Sequence, residues 1–434
     1  MQYYSLNGQS PDVDFERATC LGQAPDKGLY FPESIPRLPL HIVRNLKKTS
    51  RPKIAGEILS PYIGNTIPPD VLNRMIEETL DFDIPLVRIS KSIYSLELFH
   101  GPTLAFKDVG ARFFSRCLGY FSRQTQKDVT VLVATSGDTG GAVAAGFCNV
   151  EGVRVVILYP SGKVSDVQEL QLTTYGKNIQ ALEVSGSFDD CQRLVKQAFA
   201  DDALKSRMSL TSANSINIAR WLPQQVYYAF ALQQWEHEEP PVVSVPSGNF
   251  GNLSAGLLLH FSGLSFKHFI AASNANDTVF RFLKSAIYKP NETVATISNA
   301  MDVADPSNFV RMLELFRKEG KEMTKLLSSY TISDEETKKT MVAVYNQFKY
   351  ITDPHGAVAY TALERYLSEN PGSKGIFLET AHPVKFRTVT EDTIGVSLKL
   401  SDNLAALLQK EKSSLPMPPH YDLLKTFLLD QGSG

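Results

Sequence analysis

From about residue 128 the chain alternates short, mostly apolar runs with stretches of helical length. Val129–Ala134 reads VTVLVA, which predicts a buried strand, and it ends in Thr135-Ser-Gly-Asp-Thr-Gly-Gly before small, helix-compatible residues from Ala142 to Phe147. Val153–Tyr159 and Ile179–Val184 repeat the apolar run, and 164–175 and Phe188–Ala200 repeat the helical pattern. A second series follows: a long helix through Trp221 to Trp235, a strand at Val242–Pro246, the loop Ser247-Gly-Asn-Phe-Gly-Asn, and a helix at Leu253–Phe261. His268–Ser273 predicts another strand, 308–319, 334–348 and 355–369 predict helices, and the strand Gly375–Glu379 precedes a helical tail. Strand–loop–helix alternation of this kind builds βαβ units, so the pattern predicts an α/β fold of open parallel sheets covered by helices.

The first 95 residues stand apart, with helices predicted at 35–46 and 69–80 between turns bearing Pro and Gly. The expected division is therefore an N-terminal, helix-bearing region at 1–95 and two α/β domains at 96–210 and 211–434. Heptads, low-complexity tracts and repeats of 20–50 residues are all missing from the pattern.

Composition narrows the function more than the fold. The 434 residues carry 44 Lys+Arg against 46 Asp+Glu, a formal net charge of −2. That balance argues against an electrostatic footprint for nucleic acid or an anionic membrane. The four cysteines, Cys20, Cys117, Cys148 and Cys191, are scattered without CxxC spacing, so neither a disulfide framework nor a thiolate zinc site is encoded locally. His, Cys and carboxylates form no cluster that argues for a metal. No basic stretch followed by an apolar core opens the sequence, and no apolar run approaches bilayer length, so a cytoplasmic protein is expected.

Ligands of open α/β sheets bind beyond the carboxyl ends of the strands, which directs attention to three loops. Ser247–Asn252 joins a strand to a helix, and Gly248 and Gly251 suit positive φ or close approach of an anion to the backbone. Neither Walker nor Rossmann spacing is present, and a ligand-free Gly-rich turn is the alternative. Ser136–Gly141 offers the hydroxyls of Thr135, Ser136 and Thr139 and the carboxylate of Asp138, which suits a substrate carboxylate; a capped helix start is the alternative. In the third segment, Glu97–Arg112, Lys107 sits beside Phe106 and near Leu104, where partial desolvation would make the amine a better nucleophile and base; a merely solvated lysine is the alternative. A phosphate cradle together with a semi-buried lysine is what pyridoxal phosphate requires.

These segments resemble the threonine synthase family in both residues and order. HGPTLAFKD at 100–108, TSGDTG at 135–140 and SGNFGN at 247–252 carry the likeness. It extends through GLYFP at 28–32, SANSIN at 212–217, NANDTV at 274–279, SNAMDV at 298–303, DPHGAVAY at 353–360 and TAHPVKF at 380–386. The longer-chain branch of that family is the nearest likeness, and it implies a tryptophan-synthase-β-like, fold-type-II pyridoxal-phosphate enzyme.

The resemblance implies roles position by position. Lys107 would carry the cofactor and shuttle protons, Gly248, Asn249, Phe250, Gly251 and Asn252 would hold its phosphate, and Thr380 would meet the pyridine nitrogen. Thr135, Ser136, Asp138 and Thr139 would receive the substrate carboxylate. Asp138 stands where many fold-type-II relatives have Asn, and an ionised carboxylate only accepts hydrogen bonds, which sets its approach to the cofactor oxygen at odds with theirs. The implied reaction turns O-phospho-L-homoserine and water into L-threonine and phosphate by γ-elimination and β-addition, the last step of threonine biosynthesis. A second anion site would then take the substrate phosphate, with Lys163, Ser215, Asn217 and Arg220 as candidates; a solvated turn lysine and a helix-surface ion pair are the alternatives for Lys163 and Arg220. A serine/threonine dehydratase on the same fold, or a phospho-ligand-binding relative without catalysis, would share the loops. Monomer and homodimer both stay open.

Overall fold

In the computed structural model, which describes residues 1–430, the apolar runs Val129–Ala134, Val153–Pro160 and Ile179–Val184 pair in parallel as neighbours. Ser209–Ser212 joins the outer side of the first run and Leu415–Met417 the outer side of the third, giving five parallel strands. A second sheet has six strands in the order Leu327–Thr331, His268–Ser273, Val242–Pro246, Gly375–Glu379, Ile93–Glu97 and Leu86–Arg88. Only its last pair is antiparallel. Val129–Ala134, His268–Ser273 and Gly375–Glu379 are buried along their whole length, as sheets covered on both faces require.

Each sheet belongs to one of two compact units. One unit takes Met1, 32–106 and 221–399; the other takes 2–31, 107–220 and the C-terminal stretch from Leu400. These units do not follow the contiguous blocks 1–95, 96–210 and 211–434 expected from the sequence. The N-terminal region is divided between them, and the C-terminal strand returns to the five-stranded sheet.

Helix boundaries follow local chemistry. Ser165, Ser187 and Ser333 each open a helix with a capping box, satisfying donors that the first turn leaves open. The long helix expected through Trp221–Trp235 is instead Ile218–Trp221, a 3-10 turn at Leu222–Gln224 and Gln225–Gln234. Pro223 is the cause, because its ring has no N–H to continue the ladder. Arg51–Ile63 is a helix that the pattern did not announce, since Pro52 and Pro61 obscure its buried spacing of Ile54, Ile58, Leu59 and Tyr62. Among the described residues no helix is long and apolar enough to cross a membrane.

Candidate active site

Lys107 is the first residue of the helix Lys107–Thr125, and its side chain is 17% exposed. Its Nζ lies 3.3 Å from Oδ2 of Asp138, the buried first residue of Asp138–Phe147. Oδ1 of the same carboxylate accepts from Nε2 of Gln168 at 2.9 Å. The semi-buried setting expected for Lys107 is therefore present, and Asp138 faces the amine.

The loop between strand and helix is shaped by two of its own residues. Gly137 has φ 135° and ψ −90°, and a Cβ there would fall 2.4 Å from the Gln168 side chain, so glycine is required twice over. The Thr135 hydroxyl accepts from the N–H groups of Gly137 (3.0 Å) and Gly140 (2.8 Å) and donates to the Gly137 carbonyl (3.2 Å). The Thr135 hydroxyl, expected to meet the substrate carboxylate, spends its one hydrogen within the loop and braces it. Ser136 and Thr139 stay half-buried on the same turn.

The SANSIN segment meets a similar test. Asn217 is fully buried, its amide nitrogen donates to the carbonyls of Thr19 (3.0 Å) and Ser212 (3.2 Å), and its oxygen accepts from Ala219 N–H (2.9 Å). Both amide hydrogens of Asn217, a candidate for the substrate phosphate, go to main-chain carbonyls, so the residue braces its own segment. Arg220 is buried, donates from Nη1 to the Ala213 carbonyl, and presses its own carbonyl toward Gly110. A helix-surface ion pair is ruled out for it by that burial. Ser215 is half-buried, and Lys163 stands exposed on its turn.

The Ser247–Asn252 loop lies in the other unit. The positive φ expected of its glycines falls on Phe250 instead, at 60°. Gly248 is needed for close approach: a Cβ would lie 2.8 Å from Met301 Cα and 3.1 Å from the Ala300 carbonyl. Phe250 caps the helix Gly251–Phe261 without a side-chain bond, so the first-turn N–H groups have no side-chain acceptor. Asn252 adds a buried Nδ2 with no hydrogen-bond partner, while its Oδ1 is taken by the Tyr228 hydroxyl at 2.8 Å. Unspent donors at a helix N-terminus, with its positive dipole end, fit a phosphate group. Asn249 braces the loop, accepting from Ser307 N–H at 2.6 Å and, through its carbonyl, from Asn308 Nδ2 at 3.0 Å. Arg311 in turn donates to Asn308 Oδ1 at 2.8 Å and fixes that amide's orientation. Arg311 is fully buried over Trp221, and burial lowers its pKa to about 9.

Two distant motifs meet ahead of the lysine. Phe106 N–H donates to the Thr380 carbonyl at 2.8 Å, His382 N–H to the Leu104 carbonyl at 3.0 Å, and Lys385 Nζ to the Thr103 carbonyl at 2.8 Å. The Tyr227 hydroxyl takes the Phe106 carbonyl. With its carbonyl used, buried Thr380 offers its hydroxyl as the group that suits a pyridine nitrogen. His382 is held below the ordinary histidine range by burial, then by neighbouring His100, and its Nδ1 accepts from Val384 N–H at 3.1 Å. Beside Thr380, Glu379 is fully buried, and burial followed by the nearby Asp353 charge pushes its carboxyl far above the usual range.

Sequence reasoning missed Gln168, Asn308, Arg311 and Lys385, and left His355 without a role. Gln168 alone had a local signal, as the fourth residue of the capping box opened by Ser165. Among the described residues, no group of three or more His, Cys, Asp or Glu is placed to hold a metal ion.

Comparison with known proteins agrees with this geometry. Residues 83–378 match the family model for pyridoxal-phosphate dependent enzymes. Residues 2–80 match the threonine synthase N terminus, and 356–428 the threonine synthase C-terminal model. Threonine synthase from Buchnera aphidicola subsp. Baizongia pistaciae is 45% identical, covering 99% of this chain and 100% of its own. The crystal structure of threonine synthase from Escherichia coli has a TM-score of 0.93 at 43% identity, with 99% of this chain and 100% of that chain covered. The structure of pyridoxal-phosphate-bound threonine synthase from Brucella melitensis has a TM-score of 0.92 at 33% identity, with both chains covered in full (100% each).

Proposed function

The chain belongs to the threonine synthase family, and on that premise we propose that Lys107 carries its pyridoxal phosphate and moves the protons of the reaction. The reaction is that of a carbon–oxygen lyase: O-phospho-L-homoserine and water become L-threonine and phosphate. The C–O bond at Cγ breaks as phosphate leaves, and water supplies the new hydroxyl at Cβ. The observation that carries the assignment of Lys107 is its desolvated Nζ, 3.3 Å from Asp138 at the start of a helix.

Pyridoxal phosphate, when bound, supplies the electron sink that makes the Cα and Cβ protons acidic. The donors of Gly248, Asn249, Phe250, Gly251 and Asn252 suit its phosphate, and the Thr380 hydroxyl its ring nitrogen. A neutral hydroxyl at that nitrogen does not fix it as a cation, unlike a carboxylate partner. Lys107 Nζ takes the Cα proton and returns a proton later, and the Asp138 carboxylate stabilises the nitrogen whenever it is positive. Ser136 and Thr139, at the N-terminus of the helix from Asp138, take the substrate carboxylate. Arg220 and Ser215 remain the candidates for the substrate phosphate; Lys163 offers a mobile cation from its exposed turn.

A threonine or serine dehydratase is disfavoured by likeness that runs through both family-specific ends of the chain, at 2–80 and 356–428. Cytoplasmic action on a small molecule is part of this proposal, supported by four free cysteines and a net charge of −2.

The test is the visible spectrum of the purified protein before and after O-phosphohomoserine, with threonine and phosphate measured together. Equal amounts of both products are expected, and Lys107→Ala abolishes product formation and the lysine-bound absorbance. A 2-oxo acid as sole product would refute the assignment.

A further inference from the structure

Asp138 is the unusual member of its loop, and the structure shows what governs it. Gln168 is buried to 1% exposure and bonds in two directions. Its Oε1 accepts the main-chain N–H of Ser165 at 3.2 Å, as one half of a capping box. A backbone N–H is an obligate donor, so that bond assigns oxygen and nitrogen of the amide without ambiguity. Nε2 therefore points the other way, donating to Asp138 Oδ1 at 2.9 Å. The close packing of Gly137 on the same side chain leaves the amide no room to swing as a whole.

We propose that Gln168 is a positioning residue for catalysis: its amide, oriented by the N-cap of its own helix, holds Asp138 as a carboxylate whose Oδ2 is directed at Lys107. The proposal deepens the assignment of Lys107 as the cofactor-bearing lysine and rests on it. The physical chain has three links. The hydroxyl oxygen of a neutral carboxyl is a poor acceptor, so a fixed donor at Oδ1 favours the ionised form. With Oδ1 occupied, Oδ2 is the oxygen presented to Nζ at 3.3 Å. A carboxylate that has lost one of its donors presents more charge to its other partners, Lys107 among them, so removing the amide strengthens its hold on the lysine proton.

The readout is the pH midpoint at which the visible band of the Lys107-bound cofactor disappears in the holoenzyme. Gln168→Met keeps the volume and loses the donor; the midpoint moves up by roughly half to one pH unit, on the scale of a charge-assisted hydrogen bond. Ser165→Ala removes the capping hydroxyl but keeps the N–H, so it lowers thermal stability and leaves the midpoint in place. Ser165→Pro removes the N–H at a residue whose φ of −69° already suits proline, taking away one of the two bonds that orient the amide and loosening its hold on Asp138. It shifts the midpoint in the same direction by less, and carries the test if Gln168→Met does not fold.

A midpoint unmoved in both Gln168→Met and Ser165→Pro, or moved equally by Ser165→Ala, overturns the positioning role. Borohydride reduction followed by peptide mass mapping separates this from the premise. A pyridoxyl group on a lysine other than Lys107 overturns the assignment of Lys107 and the proposal with it. A pyridoxyl group on Lys107 with an unmoved midpoint overturns the role of Gln168 alone.

Discussion

Lys385 Nζ donates to the carbonyl of Thr103 at 2.8 Å from a site with no solvent exposure, binding two segments 282 residues apart in sequence. With the bonds from Phe106 to Thr380 and from His382 to Leu104, it makes the TAHPVKF segment a clamp on the chain that leads into Lys107. The segment Thr103–Phe106 is thus held by residues near the other end of the sequence.

Lys385→Met should therefore lose both stability and turnover. The Thr103 carbonyl is left buried without its donor, which costs about 1–3 kcal/mol. Urea unfolding of the protein should show that loss, and kcat should fall about tenfold, on the scale of a small misplacement of a reacting group. Lys339→Met, at an exposed lysine paired only with Glu335, is the control and should change neither.

His355 links another remote pair. Its Nδ1 bonds Asp353 Oδ2 at 2.9 Å, and its Nε2 accepts the Ala300 N–H at 3.1 Å, next to the backbone that packs on Gly248. Because Nε2 accepts, the ring hydrogen lies on Nδ1. His355→Leu leaves the Ala300 N–H and one Asp353 oxygen buried without this partner, an expected loss of about 2–4 kcal/mol. Cofactor affinity should drop as well, read by fluorescence titration of the apoprotein with pyridoxal phosphate.

The contrast between these residues and the strands shows what local sequence can carry. Val129–Ala134 is legible to the residue because a strand buried on both faces is nearly all apolar, and Ile179–Val184 because its buried positions are apolar while Gln180 and Glu183 are half-buried. Ser209–Ser212 and Leu327–Thr331 lie at sheet edges, where half-exposed polar positions are tolerated, and neither is visible as a strand beforehand. At the site, Lys107 and the two glycine-bearing loops are legible as contiguous motifs. The bracing bonds of Thr135 and Asn217 are not legible there, because a hydroxyl or amide that braces its own loop has the same letter as one that binds a ligand. His355, Asn308 and Lys385 act through partners scores to hundreds of residues away, so only the fold assigns them work.

Glu379 gives the chain a pH dependence of a definite sign. Its carboxyl is buried, accepts the Asp353 N–H at 2.6 Å, and is held far above the usual carboxylate range by burial and then by Asp353. The folded protein therefore holds this proton more tightly than the unfolded chain, which ionises near the ordinary value of about 4.3. The unfolded state then binds fewer protons, so this group's contribution to stability falls as pH rises above that value and levels off only beyond the folded-state pKa. Glu379→Gln removes the proton exchange and keeps an acceptor for Asp353. Its stability relative to the parent should improve as pH rises above the ordinary carboxylate range, by up to about 1.4 kcal/mol per pH unit, measured by denaturant unfolding across a pH series. A difference independent of pH would show that Glu379 is ionised in the folded protein.

Gly248→Ala tests the phosphate loop at its tightest point. The added methyl would stand 2.8 Å from Met301 Cα and 3.1 Å from the Ala300 carbonyl, and both are backbone atoms that no rotamer change can clear. The loop must shift away from the 299–301 turn, carrying with it the main-chain donors ahead of Gly251–Phe261. Overpacking of this kind costs about 1–3 kcal/mol, and the displaced donors lose their common focus on an anion. Cofactor affinity should fall at least tenfold, with the unliganded protein still folded, read by titrating apoprotein with pyridoxal phosphate and following thermal unfolding in parallel. Pyridoxal without its phosphate should bind parent and variant alike, because the lost donors serve only the phosphate. A variant that weakens both ligands equally would place the damage elsewhere than in the loop's hold on an anion.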